Sequence, residues 1–309
     1  MKQLISIVIP ARNEAANLPN VEREVLGLVT SVPDCDFEFL IIDNASSDAT
    51  GDMAVALCQR DKRWRYMRFS RNFSVEGSIT AGYEHARGDA IVVLYSDLQD
   101  PPDVIPQFIA KWREGYDVVY GVRTKRPGDP RWRNAAAWLA YRLIAWFSDV
   151  PIPADSGDFR LISARVRDAL RGFHETNRYM RGMIAWLGFR QTGVPYARRP
   201  RVAGHSSAPL TDILLFAFNA ITSFSLRPLR LFTLFGFLVL VISMILGVIY
   251  VVLWMGGTAP PGLTTILVLL LAGIGLNSLG IGILGEYLGR TFSEVKRRPI
   301  YVIERSENL

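Results

Sequence analysis

Short apolar runs alternate with segments of helical spacing through the first 120 residues. Residues 5–10 read as a strand and 14–28 as a helix. The pattern repeats as 37–43 then 48–59, 65–70 then 78–86, and 90–94 then 103–113, with a further strand at 117–122. The run Ile91 to Leu94 is apolar throughout rather than alternating, as expected of a parallel strand covered on both faces. Strands separated by helices predict an α/β fold, a doubly wound and mostly parallel sheet. Helices are expected after it at 132–147 and 165–172.

The pattern changes near residue 230. Residues 232–254 and 262–285 contain no charged side chain, and each is long enough to cross a hydrocarbon core of about 30 Å as a helix. Gly256, Gly257, Pro260 and Pro261 mark a tight turn between them. Arg227 and Arg230 precede the first span, and Arg290, Lys296, Arg297 and Arg298 follow the second. The positive-inside rule then places both ends in the cytoplasm. The expected organisation is a catalytic-type domain at 1–205 and an amphipathic linker at 206–230. Two transmembrane helices follow within 231–288 (about 232–254 and 263–285), then a basic cytoplasmic tail at 289–309. In the linker, Leu210, Ile213, Leu214, Ala217, Phe218 and Ile221 follow helical spacing. That helix either lies in the membrane interface or packs on the soluble domain. The opening MKQLISIVIPARNE has too short an apolar run for a signal peptide and reads as a first strand.

Composition narrows the partners. The formal charge is +6 and the pI about 9.4, which allows nucleic acid, an anionic membrane surface or phosphorylated substrates. Arg190, Arg198, Arg199 and Arg201 crowd the approach to the membrane, either as a solvated basic face or to attract anionic headgroups or a lipid-borne phosphate, and this placement argues against nucleic acid. Cys35 and Cys58 give neither a disulfide framework nor metal-ligand spacing.

Three strand ends carry polar clusters: Arg12 to Glu14, Asp43 to Asp48, and Asp97 to Asp100. In a parallel sheet all three lie along the carboxyl edge, where ligands bind. Asp97 and Gln99 are two apart, so in extended chain they point the same way. Two oxygen donors there suit Mg²⁺ or Mn²⁺; the alternative is an acidic turn stopped by Pro101 and Pro102. The first loop, Pro10-Ala11-Arg12-Asn13-Glu14, has no glycine, which argues against a dinucleotide pyrophosphate. Asp43 can accept from a base or ribose, and Ser47 or Asp48 is expected to cap the next helix. Together the clusters describe a mononucleotide site with a metal on its phosphates.

These residues carry a family resemblance. IVIPARNEAANL, IIDNASSDAT and FSRNFSVEGSITAGYEHARGDAIVVLYSDLQDPP resemble a family 2 glycosyltransferase of the GT-A fold. DVVYGVRTKRPGD, DSGDFRLIS, NRYMRGMIAWLGFRQTGVPYARRPRVAG and ITSFSLRPLRL, with the two apolar spans, narrow it to polyprenyl-phosphate glycosyltransferases. These include bactoprenol glucosyltransferases and dolichol-phosphate mannose synthases. The resemblance implies inverting transfer of a hexose, with UDP-glucose the default donor, to polyprenyl phosphate at the cytoplasmic face of a bacterial inner membrane, for cell-envelope glycan modification. It implies Mg²⁺ or Mn²⁺ as cofactor, a nucleotide-sugar, a lipid phosphate and the membrane as partners, and a homotetramer. By motif, Pro10, Arg12, Glu14 and Ser70 line the nucleotide, Asp43 holds its base or ribose, and Asp97 and Gln99 hold the metal. Asp158 sits where the family places a carboxylate near the reacting centre, or else caps the helix that follows. Arg123, Arg126, Arg160, Ser163, Arg201 and Ser206 meet the acceptor phosphate. Three departures stand out: Tyr95 where many relatives keep an acid, and Val75 and Ser207 where a lysine is frequent. They admit an altered donor (mannose, N-acetylhexosamine, galacturonic acid or an aminoarabinose derivative) or a degenerate membrane scaffold. A processive synthase is disfavoured because no Q-x-x-R-W motif occurs.

Overall fold

The computed structural model describes residues 2–125, 156–176, 178–199, 227–257 and 262–309. Strand β1 (Gln3–Ala11) leads to helix α1 (Leu18–Ser31), β2 (Cys35–Asp43) to α2 (Thr50–Arg60), and β3 (Trp64–Phe69) to α3 (Ser74–His85). Strand β4 (Ala90–Val93) is followed by a short 3-10 turn (Pro102–Val104) and α4 (Ile105–Arg113). Then come β5 (Val118–Lys125), β6 (Ser156–Ser163), α5 (Ala164–Arg171), α6 (Met180–Trp186) and β7 (Gln191–Ala197). Two long helices, α7 (Arg227–Met255) and α8 (Leu263–Val295), precede a last strand, β8 (Ile303–Glu307). The expected helix at 132–147 and the amphipathic segment at 209–226 lie outside the described residues.

Among the described residues eight strands form one sheet, ordered β7-β5-β6-β4-β1-β2-β3-β8. The block β4-β1-β2-β3 is parallel, as is β5 with β7. Strand β6 runs antiparallel to both β4 and β5, and β8 antiparallel to β3. Alternate side chains of the central strands enter two cores. Ile5, Ile7, Phe39, Ile41 and Tyr66 pack on one face with Leu18, Val21 and Val25 of α1. Val8, Leu40, Ile42 and Met67 pack on the other with Ile79 and Tyr83 of α3. Burial on both faces explains why these strands read as continuous apolar runs. Helix α3 lies so close to β1 that a Cβ at Gly82 would stand 2.1 Å from Val8 Cγ1. At the amino edge a buried network fixes the sheet: Arg65 Nη1 donates to Glu38 Oε2 at 2.8 Å, while Glu38 Oε1 accepts from Ser6 and from the Arg87 amide.

Several expected boundaries move. Helix α1 starts at Leu18, not at 14, because residues 12–16 form a loop and Asn13 takes a left-handed backbone (φ 56°). Helix α3 starts four residues early, at Ser74, where the Asn44 and Asn72 side chains accept the Phe73 and Ser74 amides. The DSGDFRLIS stretch is strand β6, so Asp158 is not a helix cap; Ser163 caps α5 instead. The tail also differs from a free basic segment. Helix α8 runs on to Val295, and β8 then adds to the edge of the sheet, with Tyr301 stacked on Phe69 at 5.1 Å.

Within α7, Phe232–Leu253 is 22 residues of mean hydropathy 2.9 with none of it buried. By length and composition it is long enough to cross a membrane. Among the described residues it is the one helix that meets both criteria. Helix α8 touches α7 where Gly280 leaves room for the Phe232 ring; a Cβ there would lie 2.4 Å from that ring.

Candidate active site

The loops at the carboxyl ends of β1, β2 and β3 are hydrogen-bonded into one unit. Asn13 N donates to Ser46 Oγ at 2.9 Å, and Asn13 Oδ1 accepts from Ser47 N at 2.8 Å. Glu14 N donates to Thr50 Oγ1 at 2.9 Å, and Glu14 Oε2 accepts from Asn17. Asn44 Nδ2 reaches Asn72 Oδ1 at 2.8 Å, tying in the third loop. Asp48 accepts from Thr50 N rather than capping formally; the cap position is Ala49. Pro10 O accepts from Ser96 Oγ, which joins β1 to the loop after β4. Four non-glycine residues here have a left-handed backbone, one per loop: Asn13, Ala45, Ser74 and Leu98, with φ of 56°, 58°, 71° and 51°. Strain of this kind clusters where a site over-determines its backbone.

Arg12 and Ser70 are exposed at this edge, whereas Pro10 is buried and Glu14 half-buried. Asp43 is fully buried, and its carboxylate is engaged internally. It accepts from Ser46 N at 2.8 Å, Tyr66 Oη at 2.8 Å and Arg68 Nη1 at 3.1 Å. Its placement supports the loop rather than offering a free carboxylate to a base. Arg68 is the outward member of that group, and Glu304 of β8 holds its Nε at 2.8 Å.

The segment after β4 is not extended. Leu98 N donates to Tyr95 O, and Asp97 Oδ1 accepts from Gln99 N at 3.2 Å, closing a turn. The alternation argument for Asp97 and Gln99 therefore does not apply, because a left-handed Leu98 separates them. Both remain half-buried at the strand end. A carboxylate and an amide oxygen are hard donors that suit Mg²⁺ or Mn²⁺. Among the described residues no three His, Cys, Asp or Glu side chains gather as a metal cage. Two protein donors fit a cation shared with substrate phosphates rather than one caged by protein alone.

Asp100 forms a second group. It accepts from the Tyr196 hydroxyl, and Arg123 Nη2 stands 3.5 Å and Arg198 Nε 3.6 Å from its carboxylate. Burial opposes the charge on Arg123, but Asp100 and Tyr196 more than compensate and raise its pKa above the ordinary value.

The tightest constellation surrounds Asp158. Arg181 of α6 grips it with Nε to Oδ1 and Nη2 to Oδ2, both 2.7 Å, and Tyr95 Oη donates to Oδ2 at 3.0 Å. Burial favours the neutral acid, yet Arg181, Arg160 and Tyr95 hold the Asp158 carboxyl well below the usual range. Glu76, at the first turn of α3, accepts from Met180 N. Burial, with the negative charge of Asp158, pushes the Glu76 carboxyl up to about 8. The two carboxyls are thus pushed in opposite directions, Asp158 toward the charged form and Glu76 toward the neutral one. Arg160 is buried and donates to Gly157 O at 2.7 Å.

The structure therefore places Asp158, Arg160 and Tyr95 together, with Arg123 beside Asp100. It separates Ser163 from them. That residue pairs with Ala90 at the start of β4, donates to Asp117 and caps α5, so it lies at the opposite edge of the sheet. An acceptor-phosphate role for Ser163 is set aside for this reason. Arg126, Arg201 and Ser206 lie outside the described residues. Arg181, Glu76 and Tyr196 were not singled out from sequence, because no spacing rule links α3, α6 or β7 to Asp158 or Asp100.

Comparison with known proteins identifies the family. Residues 6–171 match the family described as Glycosyl transferase family 2. The bactoprenol glucosyl transferase of Shigella phage SfII is 37% identical over 98% of this chain and 98% of its own length. The prophage bactoprenol glucosyl transferase homolog of Escherichia coli K12 is 36% identical, covering 97% and 98%. Mannosyl-3-phosphoglycerate synthase from Rubrobacter xylanophilus shares the fold, with a TM-score of 0.50 at 17% identity over 74% of each chain. On a family match spanning more than half its length and relatives aligned from end to end, the chain belongs to glycosyl transferase family 2.

Proposed function

We propose that this glycosyltransferase moves a hexose from a nucleotide-sugar, glucose from UDP-glucose by default, to polyprenyl phosphate at the cytoplasmic face of a bacterial plasma membrane. The observation that carries this is the end-to-end likeness to proteins named bactoprenol glucosyl transferases. An oxygen of the lipid phosphate attacks the anomeric carbon, the bond to the diphosphate breaks with inversion, and the nucleoside diphosphate leaves. The attacking phosphate is already an anion, so positioning and charge stabilisation do the work.

In this reading Arg12, Ser70 and Arg68 face the nucleotide, and Asp43 braces them from below. Asp97 and Gln99 hold Mg²⁺ or Mn²⁺, which when bound neutralises charge on the departing diphosphate. Asp158 lies near the reacting centre, kept ionised by Arg181. Arg123 and Arg160, with Arg126, Arg201 and Ser206, serve the acceptor phosphate. The uncharged run 262–285 of α8 is proposed as a second crossing beside Phe232–Leu253, making a hairpin with both ends cytoplasmic. A homotetramer is proposed by resemblance. Membranes carrying the protein, given labelled UDP-glucose, polyprenyl phosphate and Mg²⁺, are expected to form a chloroform-soluble labelled product. Label remaining in water with every nucleotide-sugar tried would leave the non-catalytic scaffold as the better reading.

A further inference from the structure

A cavity of about 790 Å³ lies at the far end of α3 from Asp158. Glu76 and Glu84 mark the two ends of that helix, about 12 Å apart along its axis. Four arginines, Arg171, Arg178, Arg297 and Arg298, line the cavity together with His174. They come from α5, from the α5–α6 loop and from the turn that follows α8.

The acids nearby are already engaged. Glu84, the carboxylate in the lining, accepts from the Tyr301 hydroxyl at 2.6 Å and stands 3.7 Å from Arg178. Asp168 takes Arg167 and Arg171, and Glu294 accepts the Thr176 amide at 2.7 Å. Arg171 and Arg178 are aimed by backbone carbonyls, of Glu84 and Phe173 respectively. The Arg297 amide donates to Glu294 O at 3.1 Å, while the Arg297 and Arg298 side chains are exposed and make no hydrogen bond or ion pair with a described residue. Arg297 also holds a left-handed backbone, φ 47°. Four guanidiniums thus line one concave surface, and the nearby acids, Glu84, Asp168, Glu175 and Glu294, leave Arg297 and Arg298 without a carboxylate partner among the described residues, an arrangement that attracts anions. Guanidinium forks match phosphate oxygens. The volume exceeds that of a bare phosphate, and Phe173 and Ile300 add apolar wall for an organic body.

We infer that the cavity between the α5–α6 loop and the turn after α8 binds an organic phosphate, either the headgroup of a phospholipid or a soluble phosphate ester. The site is separate from the donor and acceptor residues proposed above and does not depend on that function. Two arms of one experiment on the full chain identify the source. In neutral detergent, glycerol 3-phosphate is titrated calorimetrically. In nanodiscs mixing phosphatidylglycerol and phosphatidylcholine, retained lipid is counted by native mass spectrometry. Each arm compares the parent with R297Q/R298Q, with R297K/R298K, and with R23Q/R60Q, which removes two charges from the exposed faces of α1 and α2.

Binding of glycerol 3-phosphate, weakened at least tenfold in R297Q/R298Q and unchanged in R23Q/R60Q, supports a soluble ligand. Selective retention of phosphatidylglycerol, lost in the same variant alone, supports a headgroup. In either arm R297K/R298K should fall between parent and Gln variant, because lysine keeps the charge and loses the fork. No binding in both arms, or equal loss in R23Q/R60Q, overturns the inference.

Discussion

Replacing Arg181 with alanine tests the Asp158 constellation most sharply. Asp158 is 8% exposed and receives both Arg181 hydrogen bonds at 2.7 Å. Two unit charges about 4 Å apart at an effective dielectric of about 20 attract by about 4 kcal/mol. Stranding one member of a buried pair costs about 3–5 kcal/mol. Arg160 and Tyr95 remain to hold the charge, so the lower figure of about 3 kcal/mol applies to Arg181→Ala. For a domain of this size that corresponds to a fall of about 6–12 °C in melting temperature. Adding Asp158→Asn removes the stranded charge, and the double variant should regain part of the loss. Thermal unfolding of the full chain in detergent, followed by near-ultraviolet circular dichroism, reads both. A shift under about 2 °C for Arg181→Ala, or a double variant less stable than the single, would falsify the pairing argument.

Other consequences follow from the same geometry. Tyr95→Phe removes one hydrogen bond to a charged carboxylate, expected to cost about 1.5–3 kcal/mol, and unchanged melting would show that the Tyr95 hydroxyl contributes nothing. Asp97→Ala should abolish lipid-linked product while the protein stays folded; full activity in that variant refutes metal holding by Asp97. Glu38→Ala strands buried Arg65 at the amino edge and should cost about 3–5 kcal/mol without touching donor affinity; a calorimetric loss of nucleotide binding in folded protein would contradict that separation. Glu76 keeps its proton in the folded state up to about 8, whereas the unfolded chain releases it near 4.5. Stability should therefore fall as pH rises between those values, and Glu76→Gln should flatten that limb of a melting-temperature profile. An unaltered profile in Glu76→Gln would locate the pH dependence elsewhere.

The central strands were legible because both their faces are covered, which leaves an apolar signature in sequence. Strand β6 was not, since it opens on Ser156, Gly157 and Asp158, residues that read as a loop. Strand β8 was hidden for the opposite reason: IERSE is a mostly exposed edge strand with no core to reveal it. The carboxyl-edge clusters were visible as polar residues ending apolar runs. Their geometry was not, because positive φ at Leu98 turns Asp97 and Gln99 out of an extended register. Asp43 read as a ligand contact from its strand-end position and the family motif, and the structure adds three internal donors on its carboxylate. Arg181 escaped notice because tertiary packing alone brings α6 to β6. Tyr95 read as a departure from the family pattern, and the structure shows it donating to Asp158.

The central claim is glycosyl transfer to a lipid phosphate, and the mass of the lipid after reaction tests it most directly. Purified protein incubated with polyprenyl phosphate, UDP-glucose and Mg²⁺ should yield polyprenyl phosphate bearing one hexose, with release of UDP. Unmodified polyprenyl phosphate after incubation with UDP-glucose and every other nucleotide-sugar in a donor screen would contradict the account.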